Sequence, residues 1–174
     1  MKKIATLNIF VAHADEGSLK TAKELDGIYK ENAKNIIFAA SHIENLLAAG
    51  ITRYFFGENY DARKLLDDLV VSTDSFSFSA KRKALLTILK LQGVVNGQEC
   101  GGLERLLSKI IRYRNMFAHG TAVYSGTKCI LRYFEGGKME KEIDDPFLGE
   151  VEQQLRECFL EIERVIQLIK PIHA

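Results

Sequence analysis

Three side chains near position 115 have the types and the spacing for proton transfer beside a bound anion. Arg114, Asn115 and His119 fall within six residues. An imidazole can accept or release a proton near neutral pH, and a guanidinium donates paired hydrogen bonds to anionic oxygens. On a helix, Asn115 and His119 share one face, whereas Arg114 and His119 lie about 140° apart. A long arginine side chain can cross that arc, especially because Gly120 is predicted to end the helix.

A buried stripe predicts the helix that carries these residues, over about 101–118. Its members follow one another at steps of four, three, four and three: Leu103, Leu107, Ile110, Arg114 and Phe117. Four of the five are apolar. A guanidinium in such a stripe is costly unless it meets a partner or lines a wet groove. Arg114 is therefore either a structural ion-pair donor or part of a site.

Three further residues are candidates for supporting roles. Arg112 and Tyr113 precede the central arginine, and Glu44 lies beside a packing seam on an earlier helix. The Glu44 carboxylate is predicted either to face Arg114 across the bundle or to point into solvent. His119 has a structural alternative as well, because a histidine at a helix C-terminus is favoured by the helix dipole.

Composition is that of an ordinary globular protein of 174 residues, predicted to form a single domain over 1–174. The net charge is +1, so no overall field favours nucleic acid. The charged side chains are unevenly distributed, however. Those within 81–90 and 101–120 are mostly basic, and those within 138–163 are mostly acidic. This pattern fits either opposite charged faces or solvated surfaces.

The cysteines and the hydropathy of the chain bear on disulfides, metal sites, compartment and membrane spans. Cys100, Cys129 and Cys158 are widely spaced, with no C-x-x-C pair. We therefore predict no disulfide framework, no metal site and no cofactor. Three reduced thiols favour a reducing compartment, and a cytoplasmic location is predicted. No stretch reaches 18 uninterrupted apolar residues, so no membrane span is expected.

The spacing of apolar residues predicts an all-α, up-and-down bundle of four to five helices. Helices are expected over about 20–56, 61–71, 80–92 and 101–118, with a final helix starting at Pro146. The short second helix is predicted to turn Leu65, Leu66, Leu69 and Val70 inward. Between 121 and 143 the period changes to β-prone runs separated by glycines, which predicts a small hairpin or meander inserted before the last helix.

The ends of the chain and the other histidines are less informative. Residues 1–16 carry Ile4, Leu7, Phe10 and Val11 on one side, which predicts a short amphipathic first segment rather than a secretion signal. His13, His42 and His173 have no evident partner residues and are predicted to be structural or solvated.

The string from Arg114 to Gly120, on a late helix of a small helical chain, resembles the signature of the HEPN superfamily. In that signature an arginine and a polar residue are separated from a histidine by three to five residues. Arg114, Asn115 and His119 match it, and the resemblance extends over about 20–172. It implies a HEPN-like helical bundle, and many HEPN proteins are metal-independent endoribonucleases that act as toxins or antiviral effectors.

The resemblance also implies roles and partners. Arg114 would hold phosphate oxygens, His119 would move protons, and Asn115 would orient either of them during attack by an RNA 2′-hydroxyl. Because this chemistry needs an acid and a base, the resemblance implies a homodimer whose two motifs meet at its axis, with an antitoxin as a further partner. Other HEPN-like proteins, similar to the mannitol-operon repressor, are non-catalytic regulators that bind a protein. A third hypothesis is a helical domain in which Arg114 and His119 merely close the core.

Overall fold

The computed structural model describes residues 16–73 and 75–172. Within these ranges the chain is mostly helical, with five α-helices, one π-helical turn and three strands. The helices are α1 (Glu16–Phe56), α2 (Tyr60–Leu66), α3 (Phe78–Gln92), α4 (Gly97–His119) and α5 (Asp145–Leu168). The strands are β1 (Thr121–Ser125), β2 (Lys128–Phe134) and β3 (Lys138–Glu142). The predicted amphipathic segment before the first helix, His13 and His173 lie outside the described residues.

The long helix α1 forms the centre of the core. The packing seam predicted beside Glu44 is confirmed, because six residues at steps of three and four along α1 are buried: Ala33, Ile36, Ala40, Ile43, Leu47 and Gly50. Since this stripe continues for several turns, α1 can contact α3, α4 and α5 at once. Within residues 16–73 and 75–172, no helix is long and apolar enough to cross a membrane.

Helix α4 begins earlier than the stripe predicted. Asn96 and Glu99 form a reciprocal capping box, in which each side chain accepts the backbone N–H of the other at 2.9 Å. These bonds satisfy the exposed amides of the first turn, so the helix starts at Gly97 despite the Gly101-Gly102 pair. The predicted stripe is confirmed for its apolar members, since Leu103, Leu107, Ile110 and Phe117 are all buried.

The predicted β-meander is confirmed as a three-stranded antiparallel sheet in the order β1-β2-β3. Residues alternate across β2, so Cys129 and Leu131 are buried, whereas Arg132 and Phe134 lie on the opposite face and are exposed. The inner face is held against α1 by Tyr124, whose hydroxyl donates to Asp26 Oδ1 at 2.9 Å. One residue, Gly120, separates α4 from β1.

Helix α5 closes the bundle against α1 and α4. Its start is fixed by Asp144, whose carboxylate accepts the backbone N–H of Phe147 at 2.9 Å, and by Pro146 in the first turn. Its buried face carries Val151, Cys158, Ile162 and Val165, and the C-cap residue Ile169 is buried as well.

The orientation predicted for the second helix is wrong for three of its four apolar residues. Leu65 is 60% exposed, Leu69 67% and Val70 46%, whereas Val71 is fully buried. From Asp67 to Val71 the helix is π-helical, and Ser72 N–H donates to Asp67 O at 2.8 Å. Because this wider turn closes over five residues rather than four, the 3.6-residue period does not predict the buried face beyond Leu66.

Gly120 is required by a close approach between α4 and the sheet. It ends α4 with an extended backbone, and a Cβ there would overlap the Met116 carbonyl oxygen and lie 2.6 Å from Leu131 Cδ1. We expect Gly120→Ala to lower the free energy of unfolding by about 1–3 kcal/mol, the usual cost of overpacking. Thermal unfolding followed by circular dichroism measures this loss as a lower Tm.

Gly102→Ala is the matched control on the same helix. A Cβ at Gly102 would meet nothing within 4 Å, so alanine there is expected to raise the Tm through its better helix propensity. A Tm for Gly120→Ala equal to or above that of the wild type would contradict the close approach.

Candidate functional site

The three motif residues lie in the last turns of α4, on its solvent side. Asn115 and His119 are exposed and Arg114 is half-buried. The opposite side of these turns holds Tyr113, Met116 and Phe117, all buried. Because the apolar side is packed into the core, the backbone beneath the polar side chains is held in place.

Phe117 anchors this end of the helix to both neighbouring helices. Its ring stacks on Tyr29 of α1, with centroids 6.0 Å apart, and on Phe147 of α5, with centroids 6.4 Å apart. Stacked aromatic pairs of this kind add stabilisation beyond the area that they bury. The helix end is therefore fixed relative to α1 and α5.

Arg114 and Asn115 are joined by a direct hydrogen bond. Arg114 Nη1 donates to the amide oxygen Asn115 Oδ1 at 3.0 Å. An amide oxygen orients a guanidinium without neutralising it, and no carboxylate lies within ion-pair distance of Arg114 in the described part of the chain. The guanidinium therefore has no ion-pair partner among the described residues, which suits it to bind an anion.

His119 completes the group one helical turn beyond Asn115. Side chains four residues apart on a helix are neighbours, with Cβ atoms roughly 5–6 Å apart. Within residues 16–73 and 75–172 the imidazole has no hydrogen-bond or ion-pair partner. Its surroundings thus leave it available to solvent and to a ligand.

Arg112 is bound to the sheet instead of standing free. Its Nε donates to Glu135 Oε2 at 2.8 Å and its Nη2 to the Tyr133 hydroxyl at 3.3 Å. The hydrogen bond to Tyr133 and the charge of Glu135 hold the pKa of Arg112 above its usual value. These groups form one wall of a small cleft of about 100 Å³ that also contacts Asn115, Met116 and Phe134.

Tyr113 faces the core. Its ring is 7% exposed and meets Phe147 edge-on, and its hydroxyl donates to Glu150 Oε1 at 3.1 Å. Burial, followed by the hydrogen bond to Glu150, raises the pKa of Tyr113 from 10.0 to about 12. Tyr113 therefore supports the backbone of the last turns of α4, which carry Arg114, Asn115 and His119 and are called here the motif turn. It does not line their polar surface.

The pKa of Tyr113 predicts a loss of stability in alkali. The phenol ionises near pH 10 in the unfolded chain but near 12 in the fold. A group whose pKa is raised in the folded state contributes its full share of the free energy of unfolding below pH 10. That contribution is lost as the pH rises towards 12. We expect the Tm of the wild type to fall over this window and that of Tyr113→Phe to fall less.

Tyr60→Phe is the control, because Tyr60 is 73% exposed and its hydroxyl is in solvent. It is expected to keep the wild-type slope of Tm against pH. An identical slope for Tyr113→Phe would contradict the buried, hydrogen-bonded phenol.

Glu44 does not face Arg114, so that alternative of the prediction is wrong. Its Oε1 lies 2.6 Å from Lys81 Nζ on α3, and the two side chains are 20% and 8% exposed. The solvent-facing alternative is wrong as well, because the basic start of α3 packs against α1 and carries Lys81 into the interface. A buried ammonium needs a carboxylate partner, and Glu44 supplies it.

The sheet contributes residues that sequence reasoning missed. A cleft of about 490 Å³ on its outer face, called here the outer cleft, lies beside the motif. It is lined by Thr121, Arg132, Phe134, Lys138, Met139 and Glu140, with Tyr133 at its junction with the smaller cleft. The alternation along β2 was the signal that could have found it, since Cys129 and Leu131 facing inward turn Arg132 and Phe134 outward.

His42 belongs to a different part of the surface. It is exposed and stacks on Phe159, with ring centroids 5.5 Å apart, in a groove of about 670 Å³ between α1 and α5. None of the motif residues lines that groove. In the portion of the chain that the structure describes, no three His, Cys, Asp or Glu side chains are grouped as metal ligands.

No family model, curated protein or solved structure matches this chain.

Proposed function

We propose that this protein is a HEPN-type, metal-independent endoribonuclease that acts as a toxin or phage-defence component. The observation that carries the proposal is the surroundings of Arg114 and His119 in the motif turn. Arg114 is oriented by an amide and carries no neutralising carboxylate in the described chain, and the exposed His119 follows one turn later. Neither polar group has an ion-pair partner in the described chain, so a structural salt bridge does not explain their types.

The reaction would be attack of an RNA 2′-hydroxyl on the adjacent phosphorus. The O2′–P bond forms as the P–O5′ bond breaks, giving a cyclic 2′,3′-phosphate and a free 5′-hydroxyl. One proton leaves the 2′-hydroxyl and one reaches the departing 5′-oxygen, and an imidazole can serve in either transfer. Arg114 would stabilise the charge that grows on the phosphate oxygens, with Asn115 holding its guanidinium.

A second subunit would supply the missing proton carrier. One motif turn offers one imidazole, whereas the reaction needs an acid and a base. In a two-fold dimer the same patch meets its own copy, so two exposed motif turns could face one phosphate. His119 of each subunit would then take one of the two roles.

The experiment that tests this function is cleavage of RNA in EDTA. Total RNA and a tRNA pool are incubated with the wild type and with His119→Ala and Arg114→Ala. Metal-independent fragments with cyclic phosphate ends, lost in both variants, are the expected result. Equal, near-zero activity in all three folded proteins would reject the proposal for these substrates.

A second function is favoured by one surface. Tyr60, Leu65, Leu69 and Val70 are 73%, 60%, 67% and 46% exposed on α2 and the π-helical turn. Apolar side chains gathered on one short element fit contact with a protein. If RNA cleavage is absent, a non-catalytic HEPN-like regulator or adaptor that binds a protein through this patch becomes the better proposal. An antitoxin could use the same patch if the protein is a ribonuclease.

A further inference from the structure

We propose that the outer cleft binds single-stranded RNA, with Phe134 as a platform on which an unpaired base stacks beside the scissile phosphate. This inference rests on the proposed ribonuclease function and extends it, because it assigns the sheet insertion to substrate binding. It also specifies the class of substrate as RNA with an unpaired, accessible base.

The exposure of Phe134 is the first observation. It lies at the end of β2 with its side chain 79% exposed, opposite Lys138 of β3 in the antiparallel register. The outward parity of position 134 follows from Leu131, which is fully buried on the inner face. A large exposed aromatic ring at the edge of a cleft offers a face for stacking, which every nucleobase can use.

Continuity with the motif is the second observation. Phe134 lines both the outer cleft and the smaller cleft that contacts Asn115. Thr121, which also lines the outer cleft, follows His119 by two residues. The two clefts therefore join at Phe134 and reach the motif at Asn115, so a strand bound in both would pass Asn115. The volume of the outer cleft, about 490 Å³, is within the range of ligand sites.

The charge of this surface is the third observation. The two clefts and the motif carry four cations, Arg112, Arg114, Arg132 and Lys138, and two carboxylates, Glu135 and Glu140. Arg132 Nε lies 2.7 Å from Glu140 Oε1, and Arg112 is paired with Glu135. Arg114 and Lys138 have no ion-pair partner among the described residues, and these two cations complement the phosphates on either side of a stacked base.

A single strand fits this surface better than a duplex does. In duplex RNA the bases are stacked on one another and cannot reach an aromatic side chain, whereas loops and ends can present them. Attack by a 2′-hydroxyl also needs a backbone that can adopt an in-line arrangement. A base fixed on Phe134 would hold its nucleotide beside Asn115, the hydrogen-bond partner of Arg114, while leaving that backbone free to turn.

The test is binding of an RNA that cannot be cleaved. Oligonucleotides of about 12 nucleotides, within the length that single-strand sites cover, are made from 2′-O-methyl adenosine or uridine with a fluorescent label. They lack the attacking hydroxyl, so fluorescence anisotropy measures Kd without turnover. The variants are Phe134→Ala, Phe134→Trp and Lys138→Ala. Phe38→Ala is the matched control, because Phe38 is 75% exposed on α1 and lines neither cleft.

The expected pattern separates stacking from charge. Phe134→Ala should raise Kd about 5- to 100-fold, as loss of one base–aromatic stack does, without changing the dependence of Kd on salt. Phe134→Trp should bind as the wild type does, and so should Phe38→Ala. Lys138→Ala should reduce the salt dependence by about one phosphate contact.

Three results with the variants would overturn the inference. They are a wild-type Kd for Phe134→Ala, an equal loss in Phe38→Ala, and a change from dimer to monomer in Phe134→Ala, which would assign the ring to a subunit interface. A wild type that does not bind the oligonucleotide would overturn it too. The ribonuclease function fails separately, if the wild type binds this oligonucleotide but leaves RNA with free 2′-hydroxyls intact.

Discussion

Replacing His119 by alanine is expected to reduce the rate of RNA cleavage in EDTA by a factor of about 10²–10⁴, the usual contribution of a positioned general acid or base. The side chain is exposed and contacts no described residue through a hydrogen bond or ion pair. Its loss should therefore leave the Tm within about a degree of the wild type, since surface substitutions cost little. His42→Ala, which removes another exposed imidazole, should retain full activity.

The partner residue Arg114 gives an independent test of the same chemistry. Arg114→Lys keeps the charge but loses the planar, two-pronged donor set and its hydrogen bond to Asn115. We expect a decrease of at least about tenfold in kcat with a smaller change in KM, because the bonds are strongest to the charge of the transition state. A variant with wild-type kcat would show that Arg114 does not stabilise that charge.

Mixing subunits tests whether two copies of His119 share one site. Wild-type and His119→Ala subunits are co-expressed in equal amounts and purified together. A site that needs both imidazoles leaves about one quarter of the wild-type activity, because only dimers of two intact subunits cleave. Independent sites would leave about one half, and that result would contradict the composite site.

The second large effect concerns stability, and it follows from the ion pair between α1 and α3. Glu44→Ala leaves the ammonium of Lys81, which is 8% exposed, without its carboxylate. Breaking a buried pair costs about 3–5 kcal/mol, and the 20% exposure of Glu44 reduces this to about 2–3 kcal/mol. For a chain of this size we expect the Tm to fall by about 5–10 °C.

Two further variants isolate the cause of that loss. Glu31→Ala, on the same helix, removes a carboxylate from an exposed pair with Lys34, whose atoms lie 3.8 Å apart, and it should change the Tm little. The double variant Glu44→Leu with Lys81→Met should recover most of the lost stability, because neither charge remains buried. If Glu44→Ala and Glu31→Ala have equal Tm values, the buried pair does not contribute as expected.

The longer helices could be predicted from the sequence because each has an apolar stripe. The seam of α1 and the stripes of α4 and α5 repeat for many turns, so a wrong residue or two does not change the period. The strands were recognisable from the change of period after Gly120 and from their separating glycines. The exact start of α4 was harder, since its capping box lies upstream of the stripe that defined it.

The contacts and exposure of individual side chains within the bundle could not be predicted in the same way. The pairing of Glu44 with Lys81 depends on which helix packs beside α1, and spacing along one helix does not contain that information. The exposure of Leu69 and Val70 depends on a π-helical turn, whose hydrogen bonds leave no pattern in the residue types. The smaller cleft arises only when α4 and the end of strand β2 are brought together.

The polar residues of the motif could be predicted as a group, though their partners could not. The four-residue step places Asn115 and His119 on one face of any helix. That Arg112 is bound by Glu135 and Tyr133, while Arg114 meets only an amide, depends on the path of the sheet.

The direct passage from α4 into β1 has a consequence for motion. The final turn of a helix usually frays, because its last carbonyls lack partners within the helix. Here Gly120 N–H donates to Met116 O at 2.9 Å, and the next residue, Thr121, is already paired with Arg132 of β2. Opening the turn that bears His119 would therefore require β1 to separate from β2 at the same time. The fluctuations of the turn that carries His119 are therefore coupled to those of the sheet. Its backbone N–H groups should exchange with solvent as slowly as those of the strands.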